Sequence, residues 1–147
     1  MYLVKSEALE LFAAGFKRPS YQDPYNQYDF YDYNNTDWIL GGKIVSDSEV
    51  LAPEEVYKEG TWLPSLYNLQ LWLVENDCVF ELSYDGLVSR AKVTDHTGKE
   101  YKSKGATPTN SLFHAILNIL KVYGGIPVNK NYEGTIGRVI EYCDKDK

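Results

Sequence analysis

The stretch Trp62-Leu63-Pro64-Ser65-Leu66-Tyr67-Asn68-Leu69-Gln70-Leu71-Trp72-Leu73-Val74-Glu75-Asn76-Asp77-Cys78-Val79-Phe80 is the most apolar run of the chain and decides its fold. At about 100° per residue, Leu66, Leu69, Trp72 and Leu73 fall on one stripe, the signature of a helix facing a core. Tyr67, Leu71 and Val74 lie on the other side, so the helix is apolar nearly all round and is expected to be covered on more than one face. Pro64 suits a first helical turn, where its missing N–H costs nothing, and Asn76-Asp77 suit an exit. From Cys78 the period changes to two. Cys78, Phe80, Leu82 and Tyr84 alternate with Val79, Glu81 and Ser83, which predicts a half-buried strand.

Downstream, Asp85-Gly86 is a strong hairpin signal, followed by a returning strand over Leu87 to Val93. Its buried face is expected to hold Leu87, Ala91 and Val93, and its solvated face Val88, Arg90 and Lys92. Asp95-His96-Thr97-Gly98 forms a second turn. Lys99 to Ser103 makes a third, more polar strand anchored by Tyr101, and that polarity marks an edge. Thr107 caps and Pro108 opens a final helix whose stripe is Leu112, Phe113, Ile116, Ile119, Leu120 and Tyr123, with Gly124-Gly125 ending it. The fold class is therefore α+β: a three-stranded antiparallel sheet with helices packed on one face, an α-β-β-β-α core over residues 62–124. Trp72 and Ile116 should be buried at its middle, with His114 and Lys121 facing water.

Upstream, Ser6 reads as the N-cap of a short helix, with Glu7 in its first turn and Gly15 closing it. Tyr21 to Trp38 holds seven aromatics and four acids and no Lys or Arg. Pro24, three asparagines and the lack of a period predict a loop or irregular strand with half-buried rings. The functional reading is that Tyr25, Tyr28, Asp29, Tyr31, Asp32, Tyr33 and Asp37 are displayed together for a basic protein partner. Lys43 to Val45 suits a short strand, and Pro53-Glu54-Glu55 opens a helix that Gly60 cuts short. Residues 125–147 read as an extended arm able to pair with the sheet.

A chain of 147 residues and 16.8 kDa with 44% hydrophobic content is one domain able to close a core without staples. Cys78 and Cys143 make neither a disulfide framework nor a metal motif and fit a reducing compartment. No window approaches the ~18 apolar residues of a membrane span, and Met1 to Glu7 lacks a signal-peptide pattern, so a cytoplasmic location is expected. The net charge of −6 argues against binding nucleic acid through the whole surface.

No motif assembles a catalytic or metal site, no cofactor is implied, and an enzyme is the weaker class. His96 lies in a turn and His114 on the polar side of the last helix, each without a partner at ligand spacing. The run from Asp32 places Asp37 and Lys43 where a calcium loop needs glycine and glutamate, so it binds no calcium. Gly41-Gly42-Lys43 lacks the rest of a phosphate loop. Glu54-Glu55 has no nucleophile placed beside it.

The order helix, three strands, helix resembles the double-stranded-RNA-binding domain, whose last helix opens with a lysine cluster. Here the stretch is Lys102-Ser-Lys104-Gly105-Ala106-Thr107-Pro108-Thr109-Asn110, so the lysines precede the helix and the family's phosphate clamp is missing. A second, looser resemblance spans residues 7 to about 121. Glu7-Ala-Leu-Glu-Leu-Phe-Ala-Ala-Gly-Phe16, the Tyr- and Asp-rich segment, Trp62-Leu-Pro-Ser-Leu, Leu71-Trp-Leu73 and the closing Ala115-Ile-Leu helix are similar to small phage and prophage proteins. It implies a mobile-element origin and no catalytic residues. The leading expectation is thus a non-enzymatic interaction protein aimed at a host protein or at host defence. The alternatives are a nucleic-acid-binding strip of Arg90, Lys92, Lys99, Lys102 and Lys104, and a nucleotide or sugar site at the aromatic segment.

Overall fold

Leu3, Leu11, Tyr31, Leu63, Leu73, Val93 and Ile116 come from distant parts of the chain and share one buried cluster. The computed structural model describes residues 1–18, 28–41, 44–46, 49–51 and 53–124. Tyr25 and the proposed arm at 125–147 lie outside these. The elements in order are α1 (Lys5–Ala13), β1 (Phe30–Tyr33), β2 (Thr36–Ile39), β3 (Ile44–Ser46), β4 (Glu49–Leu51), α2 (Pro53–Glu59), β5 (Thr61–Leu63), α3 (Leu66–Glu75), β6 (Val79–Tyr84), β7 (Ser89–Thr94), β8 (Glu100–Gly105) and α4 (Pro108–Tyr123). All strand pairs are antiparallel, in sheets ordered β2-β1-β5, β3-β4 and β6-β7-β8. The helix, three-strand, helix order expected over 62–124 is present, and the architecture is α+β.

The decisive stretch departs from expectation at its start. Trp62 and Leu63 belong to β5, where Trp62 sits opposite Tyr31, and the helix begins only at Leu66. Ser65 explains the boundary: its Oγ accepts from the Asn68 N–H at 3.1 Å while the Ser65 N–H donates to Asn68 Oδ1 at 2.8 Å, a reciprocal cap. Pro64 lies outside the helix, and its carbonyl accepts from the Leu3 N–H. The stripe on α3 is as read, with Leu69 and Leu73 fully buried and Leu66 and Trp72 half-buried. The opposite side is not covered, because Tyr67, Leu71 and Val74 are exposed. Asp77 takes a left-handed φ of 58°, and the Cys78 and Asp77 N–H groups close onto the Leu73 and Val74 carbonyls.

The described part of the Tyr- and Asp-rich segment is more regular than its composition indicates. Residues 30–39 form a two-residue hairpin, with Asn34 and Asn35 at φ 54° and 60°. Asparagine tolerates this left-handed geometry and so serves a turn usually written with glycine. Tyr31, expected to be displayed, is instead completely buried. An aromatic relay joins this sheet to α3: the Phe16 ring lies 5.7 Å from both Trp62 and Trp72. Phe16 is delivered there by the end of α1, where Gly15 at φ 113° lets the Phe16 N–H reach the Leu11 carbonyl. The N-cap of α1 is Val4, not Ser6, and the Glu7 carboxylate accepts its N–H.

In the β6-β7-β8 sheet the inner face carries Phe80 and Leu82, Ala91 and Val93, and Tyr101, with α4 laid across β7 and β8. Leu87, expected on the buried face, is instead 83% exposed in the hairpin turn, and Ser89 fills the first buried position of the strand. The Asp85 carboxylate accepts from the Leu87 and Val88 N–H groups, which lengthens the turn beyond two residues. Ser89 and Ser111 share a hydrogen bond of 2.8 Å under α4, so this inner position is polar but partnered. Thr107 caps α4 and Gly124, at φ 62°, ends it as expected. Ile116 is fully buried and Lys121 exposed, whereas Trp72 and His114 are only half-buried.

Candidate functional site

Period-two alternation puts Arg90 and Lys92 on the opposite side of β7 from Ala91 and Val93, hence on the face away from α4. Register then decides what stands beside them. Ser83, Arg90 and Lys104 form one cross-strand row, and Glu81, Lys92 and Lys102 form the next. Together they line a shallow depression of about 680 Å³ on the outer sheet face. Four of the five residues of the proposed basic strip are thus brought together. Lys99 is not among them: it precedes β8, and its Nζ lies 5.5 Å from the Tyr101 ring centroid.

The electrostatics of this face are unusual for a chain of net charge −6. Residues 1–61 hold eleven acids and five bases, so the whole excess resides there, whereas residues 62–124 hold six of each. Four of those six bases point out of one sheet. Lys92 faces Lys102, and Arg90 faces Lys104, directly across strands. Opposed side chains of this kind have Cβ atoms about 4.5–5.5 Å apart, and like charges there destabilise a sheet. Compensation is partial. Lys92 pairs with Glu100 at 3.5 Å and Arg90 with Asp85 at 3.4 Å, both exposed, while Lys102 and Lys104 have no ion pair among the described residues. Glu81, Ser83 and Glu100 were missed as members of this face. The alternation that marked β6 as a half-buried strand also carried that information, but only the register joins the strands.

The acidic and aromatic residues read as a display surface are dispersed. Asp29 is buried, with Asn68 Nδ2 3.4 Å from its Oδ1, and burial raises the Tyr31 hydroxyl pKa. Tyr33 is half-buried and donates to Glu55, Asp37 accepts from the Tyr2 hydroxyl at 2.8 Å, and Asp32 is 3.8 Å from Lys5. Tyr28 is 77% exposed, and with Asp37 it is what the described members of this group leave open to solvent.

One buried polar centre has no counterpart in the sequence reading. Asp95 is 4% exposed, and its Oδ1 accepts from the N–H and hydroxyl of Thr97 and from the Lys99 N–H. Its Oδ2 accepts from the Tyr101 and Tyr123 hydroxyls, each at 3.0 Å. Burial pushes the Asp95 carboxyl up, but these hydrogen bonds outweigh it and hold the pKa below the usual value. The spacing Asp95-x-Thr97 is the signal that pointed to such a turn. Near it, burial pushes the Cys78 thiol up to about 12, aided by the Asp95 and Asp77 charges, so it is a poor nucleophile at neutral pH. No trio of His, Cys, Asp or Glu side chains suited to a metal ion occurs among the described residues, and no helix there is long and apolar enough to cross a membrane.

Comparison with protein-family models, with curated proteins and with solved structures finds no match to this chain.

Proposed function

We propose that the chain is a non-enzymatic binding protein that uses the outer face of the β6-β7-β8 sheet to hold a polyanion, in the first place the phosphate backbone of nucleic acid. The observation that carries this reading is the pair of like-charge cross-strand contacts, Arg90 with Lys104 and Lys92 with Lys102. A fold accepts such contacts at a cost in stability, and an anionic partner reverses the sign of that cost. Among the described residues the face offers no aromatic platform for stacking bases, which favours backbone contact over reading of unpaired bases. Its location within a chain of net charge −6 confines the contact to this patch.

The test is fluorescence anisotropy with duplex DNA, duplex RNA, single strands and polyglutamate at 50 mM salt. Binding to the duplexes that vanishes in R90E/K92E/K102E/K104E supports the reading. Failure of the wild-type protein to bind any duplex overturns it.

A second reading, a protein partner, is favoured by the exposed Tyr67, Leu71 and Val74 along α3, which repeat at i, i+4 and i+7 as a helix-docking seam does. The resemblance to phage and prophage proteins supplies its setting, a host protein or a host defence component met in the cytoplasm. Capture of a partner from bacterial lysate that survives serine at all three positions would remove this reading.

A further inference from the structure

The four cations of the outer sheet face are not equivalent. We infer that phosphate is gripped at the hairpin end of the face, by the row Ser83, Arg90 and Lys104, and that the row below it neutralises itself. This rests on the polyanion reading above and adds which residues engage and how many phosphates they hold.

The argument is one of local charge. Lys92 has Glu81 directly opposite on β6 and the Glu100 carboxylate 3.5 Å from its Nζ, so Lys92, Lys102, Glu81 and Glu100 sum to zero within one quarter of the sheet. A phosphate arriving there meets as much negative as positive charge. The row above contains no acid. Ser83 is exposed and presents a hydroxyl donor, Arg90 a planar fork, and Lys104 an ammonium with no ion pair among the described residues. Asp85 lies 3.4 Å from Arg90, but its other oxygen is committed to the Leu87 and Val88 N–H groups of the turn. An exposed pair of this kind is worth little and yields readily to a doubly hydrogen-bonded phosphate. The face is therefore polar along the strands, with its anion grip at the β6–β7 turn and a charge-balanced end beside the β7–β8 turn.

The salt dependence of duplex binding counts the cations engaged. Each phosphate neutralised contributes about −0.9 to the slope of log affinity against log salt, so two contacts predict about a 12-fold loss between 50 and 200 mM salt and four predict about 150-fold. Anisotropy titrations of a 30-base-pair duplex with the 147-residue chain read this directly. The wild type is expected to lose about 12-fold, K92A/K102A to bind somewhat more weakly through the two carboxylates it strands but to keep the roughly 12-fold dependence, and R90A/K104A to lose detectable binding. E81Q/E100Q is expected to free the second row, bind more tightly and steepen toward the 150-fold dependence. All these positions are exposed or half-buried, and a cooperative urea transition establishes that each variant folds. Equal losses for the two alanine pairs, or a 150-fold dependence in the wild type, overturn the unequal rows while leaving the polyanion reading intact. A wild type that binds no duplex even at 50 mM salt overturns both.

Discussion

Replacing Asp95 by alanine removes the anchor that joins the β7–β8 turn, β8 and the end of α4. Five donors converge on its carboxylate: three from Thr97 and Lys99 in the turn and two from the hydroxyls of Tyr101 and Tyr123. The turn donors lie on exposed residues and recover water when the carboxylate goes, so their loss is expected to cost about 1 kcal/mol in total. The Tyr101 hydroxyl cannot recover it, because Tyr101 is only 6% exposed, and a stranded buried donor costs ~1–3 kcal/mol. Together with the half-buried Tyr123, Asp95→Ala should cost about 3 kcal/mol. With an m-value of about 2 kcal/mol/M, that is a fall of roughly 1.5 M in the urea midpoint. Tyr101→Phe removes the stranded group, so adding it to Asp95→Ala should cost less than the sum of the two changes, which a double-mutant cycle measures. The pH dependence has a fixed sign. The folded pKa of Asp95 is depressed, so its stabilisation is complete above the ordinary aspartate value of about 3.9 and is lost as pH falls through the folded value. The gap between wild type and Asp95→Ala should therefore be constant above the ordinary aspartate value and narrow as pH falls below it. A midpoint for Asp95→Ala within about 0.3 M of wild type at pH 7 would refute the anchor.

Three further outcomes are expected. Ile116→Ala, at a fully buried position, should cost ~2–5 kcal/mol, whereas His114→Ala, half-buried beside the Phe113 ring, should cost less than about 1 kcal/mol; equal urea shifts would mean that α4 is rotated. Tyr31→Phe should leave thermal stability unchanged or raise it by about 1 kcal/mol, since the Tyr31 hydroxyl is buried with no hydrogen-bond partner among the described residues, and a clear loss of stability would show that a partner exists. Gly60→Ala places a Cβ 2.5 Å from the Val56 carbonyl oxygen and 2.9 Å from that of Asp32, both main-chain atoms, so a cost of ~2 kcal/mol or more is expected in denaturant melts and a neutral result would contradict the packing of α2 against β1.

Local patterns were legible where one face of an element met one core. The stripe on α4, its Thr107-Pro108 start and Gly124 stop, and the alternation of Ala91 and Val93 with Arg90 and Lys92 needed only periodicity and cap chemistry. Trp62 and Leu63 were misassigned because an apolar pair before a helix looks the same whether it continues that helix or pairs with a distant strand, and Tyr31 in β1 is what selects the strand. The hairpin at Asn34-Asn35 was hidden for a related reason: asparagine marks loops in general, and only the pairing of Tyr33 with Thr36 turns it into a two-residue turn. Tyr28, Tyr31, Asp29 and Asp37 look alike in composition yet range from largely exposed to fully buried. Burial depends on which side of a strand faces a neighbouring element, and that neighbour lies elsewhere in the chain.

By itself, the sequence determined the α+β class, the helix, three-strand, helix order and the side of β6 and β7 that meets water, because these follow from spacing along one segment. The tertiary structure alone decided that Arg90 meets Lys104, that Glu81 and Glu100 flank Lys92, and that Tyr101 and Tyr123 converge on Asp95. Those relations depend on strand register and on where a helix ends above a turn. A shift of one residue in pairing would send every side chain of a strand to its other face, and it is the packing of the whole core that forbids the shift.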